Sequence, residues 1–388
     1  MMRHDPTRRA FLTRAAALGC SAAASPFMTP IAMASAPGEN RLVVIILRGA
    51  LDGLDALRPM GDPHFAALRP SLSEGGTPLG DGFFALHPEL SGLAPLWQSG
   101  ELAFVPATST PYRDKRSHFD GQDLLEAGIA GDAALARDGW LNRALTLMPG
   151  STARTAFALG RERMLILDGA APITHWQPGT KLELGPQARL LLDYLFIQDP
   201  LFTEAGLTAL EMGSAPGMAD APRGPAGEVL ARYLAEQMRA ETRIASLSLS
   251  GFDTHQSQKN RLRPALRNLQ TTLLTLRAEL GPLWARTTVL AMTEFGRTAR
   301  ENGTGGTDHG TGGAMLLAGG ALNGGRMIGG WPGLSEAELY AGRDLMPLRD
   351  VRAYAAWALR DMFSLRASDL GQLVFPGLDM GDTPGLLL

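Results

Sequence analysis

The sequence predicts an α/β protein built on a doubly wound, mostly parallel sheet with helices on both faces. Three observations predict it. The segment Leu42-Val43-Val44-Ile45-Ile46-Leu47 is apolar at every position and ends at Arg48-Gly49, as a strand buried on both faces does. Similar runs recur at Leu102–Val105, Ile244–Leu249, Thr288–Met292 and Met315–Ala318. Between them lie helical patterns at Pro88–Gln98, His118–Ala127, Gly227–Glu241, Gln258–Leu280 and Arg349–Phe363.

The chain has 388 residues, enough for one large domain, and its 45% apolar and 19% charged composition excludes disorder as its main state. Arg8-Arg9 precedes Phe11-Leu12, no charged residue follows from Ala15 to Gly38, and small residues recur at Ala32-Met33-Ala34. This start resembles a twin-arginine export signal, so we expect a signal peptide at 1–34, the twin-arginine translocase as a transient partner, and a periplasmic or secreted product. Ser21, Ser25, Pro26 and Pro30 make the stretch a poor membrane span. Cys20 follows Ala17-Leu18-Gly19, close to a lipoprotein processing box, so lipid anchoring there is the lesser expectation.

Residues 35–388 then form a single α/β domain. Removing 1–34, with four arginines and one aspartate, leaves 32 basic and 38 acidic side chains, a net charge of −6. That charge argues against a nucleic-acid partner. With one cysteine, neither an intrachain disulfide nor a thiolate zinc site can form. The region at about 128–224 fits the alternation less well. Short strand-like pieces at Thr155–Leu159 and Met164–Leu167 precede apolar segments from Pro186 to Met212, so an inserted subdomain is expected there, closed by a Pro/Gly/Ala-rich loop at Ser214–Pro225.

Ligand sites in open α/β sheets lie beyond the carboxyl ends of the strands. Asp52-Gly53 follows the first strand, Asp253-Thr254-His255 follows Leu249, and Glu294-Phe295-Gly296-Arg297 follows Met292 and leads to Asp308-His309 in a glycine-rich loop. Carboxylates and imidazoles at one sheet edge suit zinc, manganese or iron. Each piece also has a plainer reading. Asp253 can cap a helix beside a solvated histidine, while Asp52-Gly53 and Asp308-His309 can be ordinary turns. Ser117 stands where a helix should begin, with Asp120 three residues on, so it is either a cap or a hydroxyl poised at the positive end of a helix. Arg113, Lys115 and Arg116 before it are either a solvated basic loop or a seat for an anionic ester, and His118 is a candidate ligand. No G-x-G-x-x-G after a strand, phosphate-binding Gly-Lys loop or G-x-S-x-G elbow is present.

These residues together resemble an exported bacterial family defined by domain of unknown function 1501, grouped with sulfatase-like and alkaline phosphatase-like proteins. The carriers run from Leu47-Arg48-Gly49 and Asp52-Gly53 through Leu86-His87-Pro88, Arg116-Ser117-His118-Phe119-Asp120 and Gly251-Phe252-Asp253-Thr254-His255 to Glu294-Phe295-Gly296-Arg297 and Gly306-Thr307-Asp308-His309-Gly310. The resemblance implies an alkaline phosphatase-like fold and one or two divalent ions, zinc, manganese or calcium. Asp52, Asp308 and His309 would hold one beside Ser117, and Asp253 and His255 would begin a second. Thr311 stands where many members carry a further histidine, so the second ion is absent or completed by His118 or Glu294. Ser109-Thr110-Pro111-Tyr112-Arg113 matches a sulfatase aldehyde motif only loosely. The implied activity is metal-dependent hydrolysis of phosphate or sulfate esters, with Ser117 or a metal-bound water attacking and Arg116, Glu294 and Arg297 assisting. The alternative is a non-catalytic exported protein that binds a metal, an anion or a partner at the same place.

Overall fold

The computed structural model describes residues 38–113, 115–160, 164–176 and 226–388. The expected signal peptide, Cys20, the segments from Pro186 to Met212 and the loop at Ser214–Pro225 lie outside them.

Twelve strands are described: β1 Arg41–Leu47, β2 Leu57–Arg58, β3 Thr77–Leu79, β4 Phe84–Leu86, β5 Leu102–Ser109, β6 Ala156–Leu159, β7 Thr174–Trp176, β8 Ile244–Leu249, β9 Thr287–Met292, β10 Gly313–Ala318, β11 Arg326–Met327 and β12 Arg349–Asp350. Nine form one sheet in the order β11-β5-β10-β9-β1-β8-β6-β7, with β12 also on β5, while β2, β4 and β3 make a small second sheet. The fold is mixed α/β with a largely parallel central sheet. β1 pairs in parallel with both β8 and β9, and β10 runs antiparallel to β9 and β5.

Every residue of β1 is buried, because the sheet is covered on both sides. Val43, Ile45 and Leu47 point into one core, with Leu234, Leu266 and Leu273 from the helices Ala226–Arg239 and Gln258–Leu280. Leu42, Val44 and Ile46 point into the other, with Trp140, Leu141 and Leu359 from the helices Trp140–Thr146 and Val351–Phe363. Each such apolar side chain is worth about 1.5–3 kcal/mol of transfer free energy, which is why the run reads so clearly in the sequence.

Three segments differ from expectation for local reasons. Pro88–Gln98 divides into a 3-10 turn at Pro88–Leu93 and a short α-helix at Ala94–Gln98, since Pro95 has no N–H to continue the first helix. Met164–Leu167 is not a strand: Leu165–Leu167 forms a 3-10 turn, whose Ile166 N–H donates to Glu126. Thr155–Leu159 supplies β6, paired with β8, so this part of the region from 128 to 224 extends the main sheet.

The chain leaves β1 in one direction and returns at β8 and β9 on its two sides. The loops after β1, β8 and β9 therefore meet beyond one edge of the sheet, at a topological switch point.

A histidine and aspartate cluster at the switch point

Beyond β1 the backbone turns sharply. Gly49 has φ +109°, and a Cβ there would sit 2.6 Å from the amide nitrogen of Asp253, so only glycine lets the β1 and β8 loops touch. Ala50 also has positive φ, at 59°. Its strain is held by Glu294, whose Oε1 accepts the N–H groups of Gly49 (2.9 Å) and Ala50 (3.1 Å). Glu294 is fully buried, and the same oxygen accepts from His118 Nδ1 (2.8 Å) and Gln122 Nε2 (3.0 Å). Burial pushes its carboxyl up, but the hydrogen bonds from His118 and Gln122 outweigh this and hold it below the usual range.

Three imidazoles converge above this floor. His118 is the first residue of α1, our label for His118–Ala127, and Ser117 caps that helix by accepting the Asp120 N–H at 3.3 Å. His255 follows β8, and His309 lies in the loop between β9 and β10. Each ring has its Nδ1 against an oxygen: Glu294 for His118, the Arg116 carbonyl for His309 (3.0 Å), and Asp308 Oδ1 for His255 (3.3 Å). Such oxygens accept only, which favours the proton on Nδ1 and the lone pair on Nε2 in His118 and His309, whereas His255 has a carboxylate oxygen against each nitrogen, Asp308 Oδ1 on Nδ1 and Asp253 Oδ1 on Nε2.

The Nε2 atoms gather around Asp253 Oδ1, at 3.0 Å for His255 and 3.5 Å for both His118 and His309. His255 and His309 bring their Nε2 atoms within 2.9 Å of each other, and His118 Nε2 is buried without a hydrogen-bond partner. Two lone pairs at that distance repel unless a cation or a proton lies between them. Phe295 stacks on His118 with centroids 5.2 Å apart and meets His309 at 5.1 Å, limiting ring rotation.

Two of the three rings are shifted in opposite directions. The Glu294 hydrogen bond raises the pKa of His118. Burial, then the charge of Arg297, lowers that of His309 to about 4. Burial raises the Asp253 carboxyl, but its bond to Arg297 outweighs this and the net shift is downward.

Several candidate residues stand outside the ring of nitrogens. Arg297 is buried and its donors are committed to the carbonyls of Ala50 (2.9 Å), Gly49 (2.6 Å) and Thr307 (3.1 Å) and to Asp253 (2.6 Å). It clamps the three loops together rather than offering N–H groups to a ligand. Asp52 caps Gly53–Ala56 and pairs with Arg69 at 2.6 Å, so its carboxylate is engaged there and not with the three imidazoles. Asp308 sits behind His255, and Glu294 behind His118. Arg116 reaches His309 through its main chain, with its side chain exposed. Thr311 donates to Asp344 at 2.9 Å, and the third imidazole comes from His118. His118, Asp253 and His309 thus present ligand atoms within 4.8 Å of one another, and His255 adjoins Asp253 and His309. Asp308 also lines a cleft of about 650 Å³, with Arg300, Asn302, Leu334 and Arg343.

Sequence reasoning missed the amides. Gln122 bridges Glu294 to Arg48 (2.6 Å), and Gln258 lies beneath the His255 and His309 loops. Gln258 stands three residues after His255, at a helix start, which is the one local signal it gave.

A family model described as a protein of unknown function (DUF1501) matches residues 208–354, a span that holds Asp253, His255, Glu294, Arg297, Asp308 and His309 but not His118. No curated protein matches the chain. Among solved structures it is similar to the alkaline phosphatase from the Antarctic bacterium TAB5, at 10% identity over 72% of this chain and 90% of that one, TM-score 0.37. It is similar to the C-terminal periplasmic domain of EcEptC from Escherichia coli in complex with Zn, at 10% identity over 74% of each chain, TM-score 0.36. It is also similar to the PsFucS1 sulfatase from Pseudoalteromonas sp., at 11% identity over 98% of this chain and 77% of that one, TM-score 0.42. Among the described residues no helix is long and apolar enough to cross a membrane.

Proposed function

We propose that the protein is an exported, metal-dependent hydrolase of phosphate or sulfate esters, with one divalent ion held by His118, His255, His309 and Asp253. The observation that carries this reading is the convergence of three imidazole Nε2 atoms on one carboxylate oxygen, each ring steered by an oxygen acceptor on its other nitrogen. Imidazole-rich sets suit zinc and its neighbours better than calcium, which takes oxygen ligands. A bound ion would supply Lewis-acid polarisation of an ester oxygen and of a water.

The chain's own residues have separate tasks. Ser117 stands at the N-terminus of α1, where unpaired N–H groups steady negative charge, and its hydroxyl is the candidate nucleophile. Exposed Lys115 and Arg116 give an anionic ester a cationic approach. The cleft beside Asp308 offers room for the body of the substrate. Arg8 and Arg9 direct export through the twin-arginine route, so replacing both with lysine should leave the protein in the cytoplasm.

Zinc- or manganese-loaded protein assayed against aryl phosphate and aryl sulfate esters tests the activity. Turnover that disappears in His309→Ala and falls in Ser117→Ala supports it. Turnover indifferent to His309 contradicts it. Metal held without turnover would instead favour the binding role, with Ser117 acting only as a helix cap.

A further inference from the structure

We propose that Gln258 is a positioning residue that sets the separation of His255 and His309, an inference that rests on the metal-centre reading above. Its side chain is fully buried, and all four of its hydrogen-bonding positions are used. Oε1 accepts from Thr254 Oγ1 (3.0 Å) and Thr307 Oγ1 (2.7 Å), and Nε2 donates to Asp52 Oδ2 (2.7 Å) and Asp55 Oδ2 (2.8 Å).

Thr254 immediately precedes His255, and Thr307 lies two residues before His309, so one carbonyl oxygen holds both ligand-bearing loops. The Thr307 N–H also donates to the Thr254 carbonyl at 3.2 Å. The other end of the amide rests on carboxylates that do not move freely. Asp52 is paired with Arg69 at 2.6 Å and Asp55 with Arg58 at 2.6 Å, all four being buried.

Only an amide of this length meets both demands. Glutamate at 258 would face Asp52 and Asp55 with a third carboxylate, and methionine would take one partner from each of two hydroxyls and two carboxylates, leaving Thr307 its 3.2 Å approach to Asp52 and Thr254 its 3.5 Å approach to the Phe252 carbonyl. The 2.9 Å approach of the two Nε2 atoms is therefore inherited from Gln258 through two threonines.

The test is a cobalt(II) titration of the full chain followed by visible absorption, alongside thermal melting of the metal-free protein. Gln258→Met should weaken cobalt binding by about tenfold to a hundredfold and alter the ligand-field bands. Thr254→Val and Thr307→Val should each weaken it by a smaller factor. Leu266→Ala, a fully buried core change in the same long helix, should lower the melting temperature and leave cobalt affinity at the wild-type value. Wild-type affinity and bands in Gln258→Met and in both threonine variants would overturn the proposal while leaving the metal centre intact. If Gln258→Met does not fold, the threonine variants decide it. A wild-type chain that binds no cobalt would overturn both readings.

Discussion

Two clusters of charged and polar groups occupy the same edge of the sheet, and they are built on opposite principles. In the lower one, Asp52 and Arg69, Asp55 and Arg58, and the amide of Gln258 are buried and mutually satisfied. In the upper one, Asp253 is half exposed and has three imidazoles around it, two of whose Nε2 atoms face each other at 2.9 Å. Arginine completes each carboxylate of the lower cluster; in the upper one Arg297 takes only one side of Asp253, and on the proposed reading a cation from outside completes the facing imidazole nitrogens. On that reading the lower cluster is a foundation and the upper one a receptor.

The largest effect that separates them is on stability. Arg69→Met should cost about 3–5 kcal/mol in urea unfolding, because it strands the buried Asp52 charge. His309→Ala in metal-free protein should cost about 1 kcal/mol, roughly one hydrogen bond. Equal costs would break the contrast. Next, zinc at a hundred times its Kd should stabilise the wild type by about 2.7 kcal/mol. The His309→Ala variant should show no such gain at that concentration, and thermal shift with and without chelator reads both. A smaller effect follows from Glu294→Gln, which keeps the shape behind His118 but removes its charge, and should weaken metal binding by about tenfold in a competition titration.

The smallest effect is in pH dependence, read on metal-free protein. His309 is depressed to about 4 in the fold, so between that value and its unfolded value the unfolded chain binds more protons. Its contribution to stability is lost as pH falls through this window. His118, raised by Glu294, contributes stability at low pH that is lost as pH rises through its folded value. His309→Asn should flatten the acid-side loss, and His118→Asn should remove the opposing slope. Identical stability profiles for the two variants would contradict the opposite shifts of the two rings.

Much of the fold was legible because burial on both faces writes continuous apolar runs, as Leu42 to Leu47 does. The antiparallel direction of β10 was not legible, since side-chain pattern carries no strand polarity. At the site, strand-end position singled out Asp253, His255, Glu294, Arg297 and Asp308-His309, and the helix start singled out His118. Which of them meet depended on distant partners. Arg69 takes Asp52 from 17 residues away, with nothing in the local pattern to announce it. Gln122 and Gln258 carry no charge or motif, so their work appears only when loops far apart in sequence close on them.

The central claim is that the upper cluster is finished by a transition-metal ion, and elemental analysis of the folded protein tests it most directly. Zinc, manganese, iron, cobalt and calcium would be counted per chain in wild type, His309→Ala and Ser117→Ala, before and after adding metal back. The account predicts about one transition-metal ion per chain in wild type and in Ser117→Ala, and loss of it in His309→Ala. Wild type that stays empty after metal is restored, or a His309→Ala protein that holds as much as wild type, would contradict it.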